Sequence, residues 1–303
     1  MHTQIAFARQ LSSSMWLSRR EPPRLTPSLL WGARATGLWY ALYTHWVQFE
    51  RLPQLDLAGL EPWLHLARAT QQRLRGYKNQ WRNQTVVCVG NGPSINHTQI
   101  ECLNDAYVIG TNRAYKLLEQ VSPRHFHLAI QDNHRLQELQ EVIAGLSCPL
   151  HIGSWSLSPD MPPPPWVTAQ REQLSVYLPK VKWVWENDQL KPEGTFDSGF
   201  SPDPTRGVYY GCSVIFSAIQ FAAYFGAKRI VCIGIDMDFS QGTNFVPGVR
   251  NIWPSFNYDE YAKPMFIRLR QALAARGIEL INATPGGKVE ELQRLSLAEA
   301  LGR

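Results

Sequence analysis

The chain has 303 residues, 44% of them hydrophobic and 18% charged, which is enough apolar material for one large core or two modest ones. No apolar run reaches the roughly 18 residues of a membrane-spanning helix, and residues 1–20 lack the charged start, apolar centre and small-residue cleavage site of a secretory signal. The expectation is a cytoplasmic protein, either soluble or peripheral on a membrane.

The net charge of +5 is unevenly spread: residues 1–84 carry 11 Lys/Arg against 4 Asp/Glu, and the remainder carries 19 against 21. In that basic part Trp16, Trp31, Trp39, Tyr40, Tyr43 and Trp46 interleave with Arg19, Arg20, Arg24 and Arg34. Rings at the headgroup level and cations facing anionic lipid suit attachment to the inner face of the cytoplasmic membrane. A helical extension packed on the main domain, with its arginines solvated, fits the same residues. Nucleic acid is disfavoured, because the positive charge does not extend onto the predicted site. Leu57, Leu60, Leu64, Ala67 and Leu74 predict one amphipathic helix or two over residues 55–80. Residues 79–85 then read as a polar approach to a main domain spanning 85–303.

That domain begins with an apolar run, Val86-Val87-Cys88-Val89, that stops in Gly90-Asn91-Gly92-Pro93-Ser94. The β-branched bias predicts a buried strand, and the glycines a tight turn able to approach a ligand closely. In an open parallel α/β sheet such a turn lies on the ligand face, beside helix N-termini that attract anions, so it is a candidate nucleotide or phosphate cradle. An ordinary strand-to-helix turn is the plain alternative. A short helix is expected over Thr98–Asn104. Two more strands, Ala106–Gly110 and Phe126–Ile130, end in Thr111-Asn112-Arg113 and Gln131-Asp132-Asn133. Side-chain amides there can bond a base edge, a ribose or a phosphate without adding negative charge, although each Asn singly is also a good turn former.

Residues 154–205 hold nine prolines and several tryptophans, which predicts a lid or acceptor-binding insertion. Val208–Phe225 is apolar on nearly all faces and predicts a buried helix. Arg229–Ile235 reads as a further strand running into Asp236-Met237-Asp238. Two carboxylates at a strand's carboxyl end could hold a divalent cation, Mg²⁺ or Mn²⁺, or one could act as a base while the other holds structure; a helix cap is the structural alternative. A helix over Asp259–Arg276, a strand at Ile278–Ile281, a turn at Asn282–Lys288 and a final helix ending near Leu301 complete the order. Alternating strands and helices predict a Rossmann-like, doubly wound, mostly parallel α/β sheet. The five cysteines lack Cys-x-x-Cys spacing and read as reduced, packed thiols, with neither a zinc site nor a disulfide framework.

Gly90-Asn91-Gly92-Pro93-Ser94, Asn112 after the second strand, Gly207-Val-Tyr before the buried helix, and Ile233-Gly234-Ile-Asp236 together resemble the bacterial sialyltransferases of glycosyltransferase family 42, a GT-A-like variant fold. The turn Asn282-Ala-Thr-Pro-Gly-Gly-Lys288 is more similar to motility-associated flagellin glycosyltransferases and to 6-hydroxymethylpterin diphosphokinase-like proteins. The resemblance covers roughly residues 84–300. It implies that Asn91 and Asn112 contact a cytidine nucleotide, with Gly90, Gly92, Pro93, Ser94, Arg113, Gln131, Asp132, Gly207, Gly234 and Asp236 around them. It implies a CMP-activated acidic sugar as donor, a glycan, glycolipid or protein acceptor, and work in lipopolysaccharide or capsule assembly. Arg206, Tyr258 and Tyr261 fall on the acceptor side. The family's histidine base has no counterpart, since no histidine follows His151. Asp238 stands where the family's first phosphate-holding tyrosine would be, and Asp259-Glu260-Tyr261 occupies the region of the histidine. Asp238 or Glu260 is therefore the expected base. A diphosphokinase with Mg²⁺ on Asp236 and Asp238, and a nucleotide-binding partner without chemistry, are the other readings.

Overall fold

The computed structural model describes residues 72–131, 133–153, 174–177, 183–186, 189–192, 199–238, 244–249 and 257–303. The expectations for residues 1–71, for Asp132 and for most of 154–205 therefore lie outside the described residues.

At the centre is β1 (Thr85–Val89), whose residues alternate between two cores: Val86 and Cys88 face one, Val87 and Val89 the other. A strand buried on both faces is what a continuous apolar run specifies. On one side of β1 stand β2 (Tyr107–Thr111), β3 (His125–Ile130), β4 (Leu150–Gly153) and β5 (Leu174–Tyr177), in that order. On the other side stand β8 (Arg229–Ile233), β9 (Glu279–Asn282) and β10 (Gln293–Arg294). Every neighbouring pair in this eight-stranded sheet is parallel. Because the chain steps outward from β1 in one direction and from β8 in the other, the strand order reverses between them. Their carboxyl ends form the crevice where doubly wound sheets take ligands.

Helices cover both faces. Helix α1 (Asn133–Gly145), the 3-10 segment Asn112–Glu119 and α4 (Leu297–Leu301) lie over one core. Helices α2 (Val214–Tyr224) and α3 (Lys263–Ala274) lie over the other, and α3 is entered through a π-helical turn at Tyr258–Ala262. The expected helix at Thr98–Asn104 is a 3-10 turn, Ile100–Leu103.

Three expectations are corrected. The insertion 154–205 is not all lid: β5 within it extends the main sheet in register with β4, and β6 (Trp183–Glu186) and β7 (Gln189–Pro192) form a separate antiparallel hairpin. Helix α2 begins at Val214 rather than Val208, because Gly207 and Gly211 take positive φ and the approaching chain is tied down otherwise. The wholly buried Gln220 amide does the tying, accepting from Ser201 N and Tyr209 N and donating to Tyr209 O and Phe216 O. A buried amide with all these partners is stable where an unpaired one would cost about 1–3 kcal/mol. Finally, residues 79–83 are not merely a polar approach. Their N–H groups at Asn79, Trp81 and Asn83 donate to Tyr224 O, Phe225 O and Gly226 O, satisfying carbonyls that the end of α2 leaves open. Leu74 and Trp81 are buried in the same core as α2, so the main domain reaches back at least to residue 72.

Candidate functional site

The turn after β1 and the turn after β8 are pressed together. Gly90 N donates to Ile233 O at 2.8 Å and Gly92 N to Gly234 O at 2.9 Å. A Cβ on Gly90 would lie 2.2 Å from Gly234 O, and one on Gly92 would lie 1.7 Å from Asp236 Oδ2. Both glycines are thus required by the contact between the two turns. Asp236 completes the joint: its Oδ1 accepts from Ser94 N at 3.1 Å and its Oδ2 from Ser94 Oγ at 2.6 Å.

The next turn along is built on Asn91. Its amide donates to Thr111 O and Thr111 Oγ1, both at 2.9 Å, and its carbonyl accepts from Arg113 N at 3.0 Å. Thr111 Oγ1 donates in turn to Val89 O at 2.8 Å. Asn91 donates its amide to the end of β2 and so has a positioning role, while it also lines the cleft. The residue it positions is Asn112, held at φ 47°, whose Oδ1 is buried without a hydrogen-bond partner. An unpaired buried acceptor is costly unless something brings it a donor.

Cationic groups stand beside it. Arg113, largely buried, and Arg135 from α1 both bond Glu138, the latter at 2.5 Å. Burial, and then Arg135, pull the Arg113 pKa down from its ordinary value. Two guanidiniums sharing one carboxylate leave the wall net positive. Ser213, Val214 and Ile215 also line the cleft, which brings the N-terminus of α2 to it. The Ser213 side chain does not cap that helix, so its first N–H groups and the positive end of its dipole are available to an anion.

These groups line one cleft of about 160 Å³, together with Gly90, Asn91, Gly92, Pro93, Gly234, Asp236, Asp238 and Asn244. That space takes one ring or one phosphate group, the enclosed part of a larger ligand, since sites for whole drug-sized ligands run to about 300–1,000 Å³. Asp238 lies at its mouth with Lys288 Nζ 3.3 Å from its Oδ1. Asn244 returns the chain to the same mouth, fixed by Phe245 N donating to Asn91 O.

Other sequence-derived candidates lie elsewhere. Arg206 and Gly207 belong to a 3-10 turn and its cap and do not line the cleft. Gln131 accepts from Ser217 Oγ at 3.0 Å and braces β3 against α2. Tyr258 is buried, donating to Glu291, and burial followed by that carboxylate raises its pKa. Glu260 is exposed and hydrogen-bonded to the half-buried Tyr261. Neither Glu260 nor the two tyrosines lines the cleft with Asp238. The metal reading also meets the wrong donors. Both Asp236 oxygens serve Ser94, Asp238 faces an ammonium group, and among the described residues no three His, Cys, Asp or Glu side chains cluster as metal ligands. Cys88 and Cys232 are packed core thiols, and burial pushes Cys232 up to about 12.

No family model, curated protein or solved structure matches the chain.

Sequence reasoning missed Thr111, Arg135, Ser213 and Lys288 as parts of the site. Ser213 carried a readable signal, a serine directly before an apolar helical run. Arg135 carried none, because only the packing of α1 beside the β2 turn brings it there.

Proposed function

We propose that the chain is a glycosyltransferase that takes a nucleotide-activated sugar, with a CMP-linked acidic sugar as donor, and passes it to a glycan, glycolipid or protein acceptor in surface-glycan assembly. The observation that carries this reading is the cleft at the strand-order reversal, where an unpaired buried amide oxygen on Asn112 adjoins a net positive wall and a helix N-terminus. A neutral hydrogen-bonding edge beside an anion-attracting surface suits a base or ribose joined to phosphate. In the reaction an acceptor hydroxyl attacks the anomeric carbon, the bond to the phosphate oxygen breaks with its electron pair going to the phosphate, and the hydroxyl proton passes to a base. Asp238 is the base favoured here, since it lies at the cleft mouth and Glu260 does not.

The Mg²⁺-dependent diphosphokinase is the weaker reading, because Asp236 spends its carboxylate on Ser94. A thermal-shift panel of CMP, CDP, UDP, GDP and ATP, with and without Mg²⁺, separates the two. CMP should raise the melting temperature more than ATP does, since a ligand that binds only the folded state stabilises it by mass action. A larger shift with ATP plus Mg²⁺ would favour the kinase. A nucleotide-binding partner without chemistry would show the CMP shift but no release of CMP from a CMP-sugar.

The basic, aromatic N-terminal region supports a peripheral place on anionic membrane. Deleting residues 1–50 should abolish co-sedimentation with anionic vesicles at low salt while leaving activity on a soluble acceptor. Undiminished sedimentation of the shortened chain would remove that part of the reading. No described helix is long and apolar enough to cross a membrane.

A further inference from the structure

The turn between β9 and β10 is far more heavily built than a connection between two strands needs to be. Asn282, wholly buried, donates from its amide to Val289 O and accepts from Thr284 N. Thr284 Oγ1 accepts from Ile235 N, which ties the turn to the segment just beyond β8. Arg294 donates to Thr284 O, Gly286 O and Val289 O, gripping the turn from the far side. Gly286 and Gly287 both take positive φ, and a Cβ on Gly287 would lie 2.9 Å from Asp236 Cα and from Asp236 O. Lys288 N then donates to Asp236 O at 2.9 Å. These bonds fix the backbone on both sides of Lys288, whose half-exposed side chain places Nζ 3.3 Å from the carboxylate of Asp238, a residue of the cleft lining.

We propose that Lys288 is a phosphate-contacting residue of the cleft, parked on Asp238 when no anion is bound and transferred to the phosphate of an arriving ligand. A half-exposed ion pair contributes little to stability, about 0–1 kcal/mol, so keeping the fold together does not account for so elaborate a support. A lysine ammonium is a mobile point charge on a long stem, able to leave a carboxylate for a phosphate oxygen nearby. Its arrival at the phosphate would neutralise the charge that grows there as the sugar–phosphate bond breaks. The inference rests on the cleft being a site for a phosphate-bearing ligand, but not on which nucleotide is joined to that phosphate.

The test uses the full chain and inorganic pyrophosphate as probe, with affinity read by calorimetry. The wild-type protein should bind pyrophosphate, and Lys288→Ala should weaken binding by about tenfold or more, the equivalent of losing one charge-assisted bond. Lys288→Arg should hold affinity within about threefold, because the cation is kept. Melting temperatures of both variants should match the wild type, since the Lys288 N–H bond to Asp236 O survives any side chain. Gly287→Ala, which forces the turn away from Asp236, should weaken pyrophosphate binding with Lys288 still present. Equal affinity in wild type and Lys288→Ala overturns the assignment, as does a wild-type protein that does not bind pyrophosphate. Lys288-dependent pyrophosphate binding that CMP fails to compete away would leave Lys288 in its role and overturn the cytidine-nucleotide reading instead.

Discussion

At the scale of single residues, the two asparagines of the cleft make opposite demands. Asn91 spends its amide on Thr111 and Arg113, so Asn91→Ala should lower stability by about 1–3 kcal/mol in urea denaturation, the cost of leaving buried partners unpaired. Asn112 Oδ1 has no partner to lose. Asn112→Gly, which tolerates φ 47° as Asn does, should therefore lower stability in urea less than Asn91→Ala does while lowering the CMP-induced shift in melting temperature. A stability loss at Asn112 as large as that at Asn91 would make both residues structural. Asp238→Asn should cut turnover by roughly 10²–10⁴-fold if Asp238 takes the acceptor proton. Unchanged turnover would pass that role to another group.

At the scale of elements, the amino-terminal halves of β3 and β4 carry a buried histidine pair. His127 Nδ1 and His151 Nε2 are 2.9 Å apart, and Tyr77, Trp81, Phe221 and Phe225 pack around them. Burial holds both below the usual histidine range, His151 at about 3, with His151 adding to the effect on His127. Both are therefore neutral in the folded chain near pH 7. As pH falls below about 6.5 the unfolded chain takes up protons that these sites refuse, so stability contributed above that pH is progressively lost toward the folded pKa values. By pH 5 His151 should cost about 2 kcal/mol, and His127 acts in the same direction. His151→Phe should flatten the fall in melting temperature between pH 7 and pH 5. An equally steep fall in the variant would assign it to other groups.

At the scale of the whole molecule, the main domain extends back to the segment that caps α2. A chain beginning at residue 72 should keep the core intact. One beginning at residue 85 loses Leu74, Trp81 and the three N–H donors to the end of α2. Removing a buried Trp and a buried Leu each costs about 2–5 kcal/mol, comparable to the stability of an entire domain. Circular dichroism should show a cooperative thermal transition for the first chain and none, or one at far lower temperature, for the second. Similar transitions for both would return residues 72–84 to the status of an appendage.

The sequence by itself determined the strand-and-helix alternation, the buried character of β1 and β8, and the two turns that meet at the cleft. Continuous β-branched runs and glycines that interrupt them are local signals, and local signals survive without knowledge of packing. It also placed Asn112 and Asp238 among the site residues. The tertiary structure alone decided what each group is free to do. Asn91 and Asp236 read as ligand contacts because Asn and Asp suit both ligands and turns, and only the fold shows that they also bond Thr111, Arg113 and Ser94. Gln220 is invisible in an apolar run until a distant segment brings it backbone groups to bond. Arg135 lines the cleft and Lys288 reaches Asp238 beside it from elements far along the chain, and the β5 strand hides in a proline-rich stretch. In each case the deciding contact joins residues many positions apart. Which polar atoms such contacts leave unpaired is a property of the folded sheet, and a linear pattern does not carry it.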